Sequence, residues 1–400
     1  GSIKLPASTG FVKGRAAPLK ISHAIGSSNA ILTGSIISRG RDGPTTADSR
    51  KADIVLDILK GKMSLFTENP WIINLWDPPH GVMSWPARST PHYFKSESVT
   101  VPETGPKRPL NHSQTLAIEK MLSPKDEDRI ILIRGPPGSG KTSVISRFVE
   151  IAYSRDCPGI WLIAQSNVAV KNIAEKLASI GFMNWRLLIS VDFHLDWHEH
   201  LYGHDIKDNI IRSDDFYTML PTRIAGCKVI LCTLSMLSSQ WIRKKFLPSI
   251  PIHTLIVDEA SQIEIGDYLP VFTLAVTKLE KMCLIGDDKQ LPPHGQEDIE
   301  ELQSVFEINH LHAYVHLLDT QYRMPPQMGD FISEQVYESL LKSNALHPIT
   351  NSTIACQFLD IPGTEKMQNN SFIVSFCLQL FFFLDLWSWP IRIMKKHQQY

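Results

Sequence analysis

The chain has 400 residues, of which 43% are hydrophobic, and a formal net charge of −1 at pH 7. This length and apolar content are enough for more than one hydrophobic core, which excludes a disordered or fibrous protein. The near-zero charge excludes a globally basic nucleic-acid binder. A local basic groove stays compatible with it, because phosphate contacts need only a few Lys or Arg side chains.

The N-terminal region, residues 1–109, is rich in Gly, Pro, Ser and Thr, with short apolar runs at 30–37, 52–59 and 71–76. Short apolar runs between turn-forming residues predict short strands. We therefore expect a β-rich accessory region that ends in a Pro-rich connection over 78–108, with a domain boundary near residue 109. This region is also a candidate surface for protein partners.

From residue 110 onward, apolar runs alternate with helical periodicity. The runs lie at 129–133, 160–164, 228–231, 254–257 and 281–285. Continuous apolar strands that alternate with helices predict an α/β fold, with a parallel sheet covered by helices on both faces. Ligands of such sheets bind beyond the carboxyl ends of the strands. The polar and aromatic segment 184–226 interrupts this rhythm and is predicted to be a mainly helical insertion.

A phosphate-binding loop follows the first of these runs. Residues 135–142 match the pattern GxxxxGK[ST] and stand between a strand and a helical run at 143–153. Glycines let backbone N–H groups surround phosphates, and the helix N-terminus adds its positive dipole end. Lys141 should neutralise the charge of the β- and γ-phosphates, and Thr142 should bind Mg²⁺. The strand-loop-helix context disfavours an ordinary Gly-rich turn. The predicted nucleotide-binding residues of the loop are Gly135, Pro136, Pro137, Gly138, Ser139, Gly140, Lys141 and Thr142.

Two adjacent acids, Asp258 and Glu259, follow the apolar run at 254–257. Acids at a strand end often only solvate it, but downstream of a phosphate loop they fit a Mg²⁺ ligand and a base that orients water. Asp258 is expected to hold the metal through water, and Glu259 to activate the attacking water. These two motifs alone do not separate kinases, GTPases, AAA machines and helicases.

Two later blocks narrow the class: GDDKQLPP at 286–293 and LDTQYRMP at 318–325. The chain has neither the NKxD motif of GTPases nor the SAT block of superfamily 2 helicases. Together with the phosphate loop and DEASQ at 258–262, the set resembles superfamily 1 helicases of the nonsense-mediated-decay helicase type, over about residues 110–362. The resemblance implies an ATP-dependent RNA or DNA helicase that moves 5′ to 3′ along a single strand. It also implies a RecA-like ATPase domain over 110–316 and the start of a second over 317–368.

The resemblance further implies roles for single residues. Gln114 would read adenine, because a side-chain amide can pair with both the N6 donor and the N7 acceptor. Gln290 and Arg323 would surround the γ-phosphate, where a planar cation stabilises the transferred phosphoryl group. Tyr322 would pack beside the base, although an ordinary core tyrosine explains it nearly as well. The implied catalytic set is Lys141, Glu259, Gln290 and Arg323.

The implied nucleic-acid contacts are Ser166, Asn167 and Thr233, short polar residues at strand ends that suit phosphate oxygens without reading sequence. Helix N-capping by Ser166 or Asn167 is an equally good explanation of the first two. Single-stranded RNA or DNA is therefore the expected partner, and the sequence does not decide between them.

The tail at 369–400 falls outside the family pattern and is interpreted as sequence foreign to the helicase. Its apolar run at 372–384 is shorter than the roughly twenty residues of a membrane-spanning helix, so a membrane is not an expected partner. The six cysteines form no CxxC pair, which favours free thiols and an intracellular setting, in the cytoplasm or the nucleus.

The blocks that should follow residue 362 in the family are absent. We therefore expect this chain alone to bind ATP weakly, to hydrolyse it slowly and not to unwind duplexes, because such motors hydrolyse ATP between two closing domains. Two alternatives stay open: a P-loop ATPase that remodels ribonucleoprotein without unwinding, and an ATP-binding fragment without activity.

Overall fold

The computed structural model describes most of the chain between residues 45 and 349, and outside this range only the backbone of four strands. The described ranges are 17–25, 28–36, 45–86, 109–191, 193, 206–218, 221–275, 278–296, 299, 301–349, 363–368 and 371–376. Residues 1–350 form one compact unit and residues 351–400 another. The predicted foreign tail therefore lies outside the described residues, apart from the backbone of one strand.

The strands of the described chain are β1 (Ala17–Ile25), β2 (Ser28–Ile36), β3 (Ile130–Arg134), β4 (Ile160–Ala164), β5 (Trp185–Ile189), β6 (Ile210–Arg212), β7 (Val229–Thr233), β8 (Thr254–Asp258), β9 (Lys281–Gly286), β10 (Val315–Leu317), β11 (Thr320–Gln321), β12 (Lys342–Ser343), β13 (Gly363–Gln368) and β14 (Ser371–Phe376). The α-helices are α1 (Thr46–Leu59), α2 (Leu65–Glu68), α3 (Pro70–Trp76), α4 (His112–Leu122), α5 (Lys141–Ser154), α6 (Asn167–Ser179), α7 (Leu269–Ala275) and α8 (Pro326–Val336). Among these helices, none has the length and apolar character needed to cross a membrane.

An eight-stranded sheet forms the centre of the first unit, in the spatial order β10-β3-β9-β8-β4-β7-β5-β6. Every neighbouring pair in it is parallel. The five predicted strands are confirmed as β3, β4, β7, β8 and β9, with nearly the bounds expected from their apolar runs. The predicted α/β fold of the RecA-like type is therefore confirmed.

The two faces of this sheet carry separate cores. In β3, Ile130 and Leu132 pack into one cluster, whereas Ile131 and Ile133 pack into the other. Alternate residues of a strand point to opposite faces, so a strand that is apolar throughout is buried on both. Cys157 and Cys283 lie in this interior as free thiols.

The expected helical insertion at 184–226 is wrong at two places, because β5 and β6 lie within it and extend the sheet beyond β7. Trp185 and Leu187 pair with Val229 and Leu231 of β7 and are buried, which gives this short run the partner a strand needs. The apolar run is only five residues long, and the polar stretch that follows it outweighed it in the sequence pattern.

The expected β-rich N-terminal region is only partly β. An antiparallel β1–β2 hairpin is present, but the apolar runs after residue 45 form helices. Thr45 and Asp48 form a capping box at the start of α1, and Asn69 caps α3, whose first residue is Pro70. These are helix start signals, and they outweigh the strand-like composition of the runs.

The core does not divide at the expected boundary near residue 109. Ile54 of α1, together with Trp71, Ile72 and Leu75 of α3, belongs to the same buried cluster as β-strand residues such as Trp161. Helices α1–α3 therefore cover one face of the sheet and belong to the same domain as the sheet.

Candidate active site

A cavity of about 1190 Å³ opens where strands β3, β8 and β9 end, at their carboxyl edge. Six separate stretches of the chain contribute to it, one of them helix α6. Of the residues predicted from the sequence, its lining includes Gln114, Pro136, Pro137, Gly138, Gly140, Lys141, Thr142, Asp258, Glu259, Gln290, Tyr322 and Arg323. Gly135 and Ser139 belong to the same loop but do not line the cavity.

The loop between β3 and α5 is held in a bent backbone conformation. Gly138 and Gly140 have positive φ angles of 77° and 88°, in the left-handed region that favours glycine. Gly135 N–H donates to the Gly286 carbonyl at 2.8 Å, which fixes the loop to the end of β9. Lys141 Nζ donates to the Gly135 carbonyl at 2.8 Å, so the lysine lies folded over the loop. Lys141, Thr142 and Ser143, the first residues of α5, line the cavity, so the N-terminus of this helix lies at it.

The acid pair lies at the end of β8. Asp258 is 6% exposed, and burial together with the adjacent Glu259 carboxylate raises its pKa to about 6, while Lys141 opposes the shift. Glu259 has a φ of 54°, and its N–H donates to Asp258 Oδ1 at 3.0 Å. Gln262 Nε2 donates to Glu259 Oε2 at 3.4 Å. A buried carboxylate beside a second one is an unfavourable place for negative charge unless a cation shares it.

This donor set fits Mg²⁺. Carboxylate and hydroxyl oxygens are available from Asp258 and Thr142 on the cavity wall. The part of the chain that the structure describes has no cluster of three or more His, Cys, Asp or Glu side chains that could enclose a metal. Mg²⁺ characteristically binds through one or two carboxylates plus substrate phosphates and water, and so needs no such cage.

Gln290 reaches the cavity from the loop after β9. Its Nε2 donates to Asp287 Oδ2 at 2.5 Å, and Asp287 is fully buried. The Tyr337 hydroxyl donates to the same oxygen at 2.6 Å. Sequence reasoning missed Asp287 and Tyr337. In the GDDKQ block, the sequence does not distinguish Asp287 from Asp288, and Tyr337 lies in a distant segment without a motif. In the structure, Asp288 pairs instead with Arg134 at 2.5 Å.

The block around Tyr322 and Arg323 lies directly on the phosphate loop. Tyr322 N–H donates to the Gly138 carbonyl at 2.9 Å, and Asn111 Nδ2 donates to the Tyr322 hydroxyl at 2.8 Å. Gln321 Oε1 accepts from the N–H of Arg323 at 2.9 Å and so fixes the turn. A methyl group on Gly138 would come within 2.5 Å of Arg323 Cβ, so loop and block are in tight contact.

Gln114 lies in the first turn of α4 and is 5% exposed. Its Oε1 accepts from Asn111 N–H at 3.1 Å, and Asn111 Oδ1 accepts from Gln114 N–H at 2.8 Å, which together form a capping box. Its Nε2 donates to the Ser139 carbonyl at 2.8 Å. The amide therefore connects α4 to the phosphate loop at the edge of the cavity.

The three residues predicted to contact nucleic acid lie at the ends of the paired strands β4 and β7, outside the cavity lining. Ser166 is the N-cap of α6 and accepts from Ala169 N–H at 3.1 Å, so the capping role is present. Asn167 is the first residue of α6, and Thr233, the last residue of β7, is buried.

Comparison with known proteins gives a consistent family. A family model described as an AAA domain matches residues 114–296. The chain is 27% identical over 270 residues to "Putative ATP-dependent RNA helicase ECM32" of Saccharomyces cerevisiae, with 58% of this chain and 23% of that protein covered. It is 26% identical over 268 residues to "DNA replication ATP-dependent helicase/nuclease DNA2" of the same organism, with coverages of 64% and 16%.

A third relative is "Regulator of nonsense transcripts 1" of Caenorhabditis elegans, 28% identical over 264 residues, with 58% of this chain and 24% of that protein covered. The chain thus spans about a quarter or less of the length of these three relatives. The family model covers Gln114, the phosphate loop, the acid pair and Gln290 of the cavity lining. The chain is thus similar to superfamily 1 helicases of the DNA2/NAM7 type.

Proposed function

We propose that this chain binds ATP with Mg²⁺ in the cavity and hydrolyses it, and that its parent protein uses the hydrolysis to move along single-stranded RNA or DNA. One observation carries the proposal. Residues far apart in sequence, namely Gln114, Lys141, Asp258, Gln290 and Arg323, line a single cavity at the carboxyl edge of a parallel sheet. Ligands of such sheets bind at this edge.

The proposed role of each residue is compatible with its position at the cavity. Lys141 neutralises phosphate charge, and Asp258 with Thr142 holds the metal. Glu259, held in a left-handed backbone conformation at the cavity wall, orients and deprotonates the attacking water. Bound Mg²⁺ supplies neutralisation of the charge on the transferred phosphoryl group. Gln290 and Arg323 complete the shell around the γ-phosphate.

Adenine is proposed to meet Gln114 and Tyr322, which lie close together through Asn111. The strand is proposed to pass the ends of β4 and β7, where Ser166, Asn167 and Thr233 lie. Residues 317–368 are proposed to begin a second motor domain. The 320–323 segment, which contacts the phosphate loop, would then report nucleotide state to it.

The test is ATP turnover by the purified chain, with and without single-stranded RNA or DNA, compared with Glu259→Gln. Loss of a general base lowers turnover by about 100-fold or more, so the variant should fall to background. Glu264→Gln is the matched control, because Glu264 pairs with Lys51 outside the cavity and should leave turnover unchanged.

Equal rates for the wild-type chain and Glu259→Gln would make the chain a catalytically idle nucleotide binder. Turnover that depends on Glu259 but does not respond to either single strand would instead favour an ATPase that remodels ribonucleoprotein. A rise in turnover with single-stranded RNA or DNA supports the motor.

A further inference from the structure

Asp287 lies at the centre of a buried hydrogen-bond network next to the cavity. Its Oδ2 accepts from Tyr337 Oη at 2.6 Å and from Gln290 Nε2 at 2.5 Å. Its Oδ1 accepts from Lys289 N–H at 3.2 Å, and its own N–H donates to Ser261 Oγ at 3.2 Å. The network thus joins the block after β8, the block after β9 and the segment after α8.

A buried carboxylate needs strong donors, because an unsatisfied buried charge is costly. Asp287 is 0% exposed, and the neighbouring arginine, Arg134, is already engaged by Asp288 at 2.5 Å and 3.0 Å. Tyr337 is 6% exposed and contributes one of the two short bonds to Oδ2. Without that hydroxyl, Gln290 would be the one side-chain donor to this oxygen among the residues that the structure describes. The carboxylate would then shift to regain a donor, and the Gln290 amide bonded to it would shift with it.

We propose that Tyr337 is a positioning residue for ATP hydrolysis: through Asp287, it fixes the orientation in which Gln290 faces the γ-phosphate. This inference rests on the proposed function of the cavity. It assigns a task to a side chain that no motif marks and that does not line the cavity.

The placement of Tyr337 adds a second consequence. It follows α8 directly, and the same segment begins with Tyr322 and Arg323, which lie on the phosphate loop. Burial and the hydrogen bond to Asp287 raise the pKa of Tyr337, so the phenol remains a donor across the physiological range. A shift of the segment 322–337 would therefore move the Arg323 side chain directly, and it would move the Gln290 side chain through Asp287.

The test compares Tyr337→Phe with Tyr268→Phe. Tyr268 is also buried, but its hydroxyl has no hydrogen-bond partner among the residues that the structure describes, so its loss should have no effect. Two quantities are measured with Mg²⁺: kcat for ATP, and the ratio of the Kd for ADP to the Kd for a non-hydrolysable ATP analogue. Tyr337→Phe should lower kcat about tenfold, as misoriented groups do, and should bring the ratio nearer to one, with a rise in KM no larger than the fall in the ratio.

A double-mutant cycle separates positioning from general destabilisation. Tyr337→Phe added to Gln290→Ala should lower neither kcat nor the Kd ratio beyond Gln290→Ala alone, because both changes remove the same interaction. The proposal would be overturned if the two substitutions lowered kcat additively. It would also be overturned if Tyr337→Phe had the kcat and the Kd ratio of the wild-type chain. If Tyr337→Phe fails to fold, Asp287→Asn keeps the shape and removes the charge, and it should show the same narrowed Kd ratio. An unchanged ratio in Asp287→Asn would also overturn it.

The experiments distinguish the hydrolytic function of the cavity from the positioning role of Tyr337. If the wild-type chain binds nucleotide but shows no turnover dependent on Glu259, the hydrolytic function fails while the Kd ratio still tests Tyr337. If turnover is normal and Tyr337→Phe behaves as the wild-type chain does, only the role of Tyr337 fails. Absence of nucleotide binding overturns both.

Discussion

At the scale of single residues, Asp258 is a buried carboxylate whose negative charge is unfavourable unless a cation binds beside it. Its carboxylate is buried at the end of β8 beside Glu259, and its pKa is raised to about 6. The folded state therefore keeps a proton that the unfolded chain releases at lower pH. The stabilising effect of this proton is fully present below the unfolded pKa and is lost as the pH rises through about 6.

Asp258→Asn should therefore stabilise the ligand-free protein at pH 8, by an amount on the order of 2 kcal/mol, and abolish Mg²⁺-dependent nucleotide binding. The stabilisation should disappear near pH 4, where the wild-type carboxyl is also neutral. Urea unfolding at both pH values, with nucleotide titrations at pH 8, measures both effects. A variant that is less stable than the wild type at pH 8 would contradict the assignment of a charge penalty to Asp258.

The predicted site residues were recognisable singly because each belongs to a short block whose residue types suit phosphate, metal or water. The structure brings the cavity-lining members of that set together. Asp287 and Tyr337 could not be found in this way. Their importance lies in a shared hydrogen bond between segments that are far apart in the chain, and only the folded arrangement makes that pair.

At the scale of elements, the contact between the phosphate loop and the 320–323 segment is set by the absence of a side chain. Gly138 has a φ of 77°, and its backbone lies against Arg323. The Gly138 carbonyl also accepts from Tyr322 N–H at 2.9 Å. A larger residue here would press two parts of the site apart.

Gly138→Ala should lower ATP turnover by about tenfold or more, because its methyl group would displace Arg323 in addition to straining a left-handed backbone. Gly61→Ala is the matched control: its φ is 68°, but nothing lies within 4 Å of the added methyl group. Turnover and thermal unfolding are measured for both. Similar losses of turnover in the two variants would show that backbone strain alone matters.

The strands that the sequence revealed are the ones buried on both faces, because their apolar runs are continuous. Strand β10 was not predicted because its three residues, Val315–Leu317, are only half-buried and form no continuous apolar run. Helices α1 and α3 escaped it because their apolar stretches are short and resemble strands in composition. Their caps at Thr45 and Asn69 were the physical signals that favoured helices.

At the scale of the whole molecule, the N-terminal helices belong to the motor core. Ile54, Trp71, Ile72 and Leu75 are each at most 2% exposed. Burial of one such side chain contributes about 1.5–3 kcal/mol, so the four together rival the total stability of a domain, about 5–15 kcal/mol.

A chain that lacks residues 1–108 should therefore aggregate or unfold, whereas a chain that lacks only residues 1–44 keeps all four side chains and should stay folded. Solubility, circular dichroism and thermal unfolding of the two deletions provide the comparison. If the longer deletion were as soluble and as heat-resistant as the shorter one, the helices would be an accessory layer rather than part of the core.

Two hydrogen bonds within the protein fix the orientation of the Gln114 side-chain amide. With an N–H pointing at its oxygen and a carbonyl facing its nitrogen, a flipped rotamer would set donor against donor and acceptor against acceptor. A base that bound here would meet a donor and an acceptor in a fixed order, and its binding would restrict no further rotation of the Gln114 side chain. Discrimination between purines at this position would then depend on whether the donors and acceptors of the base match that order.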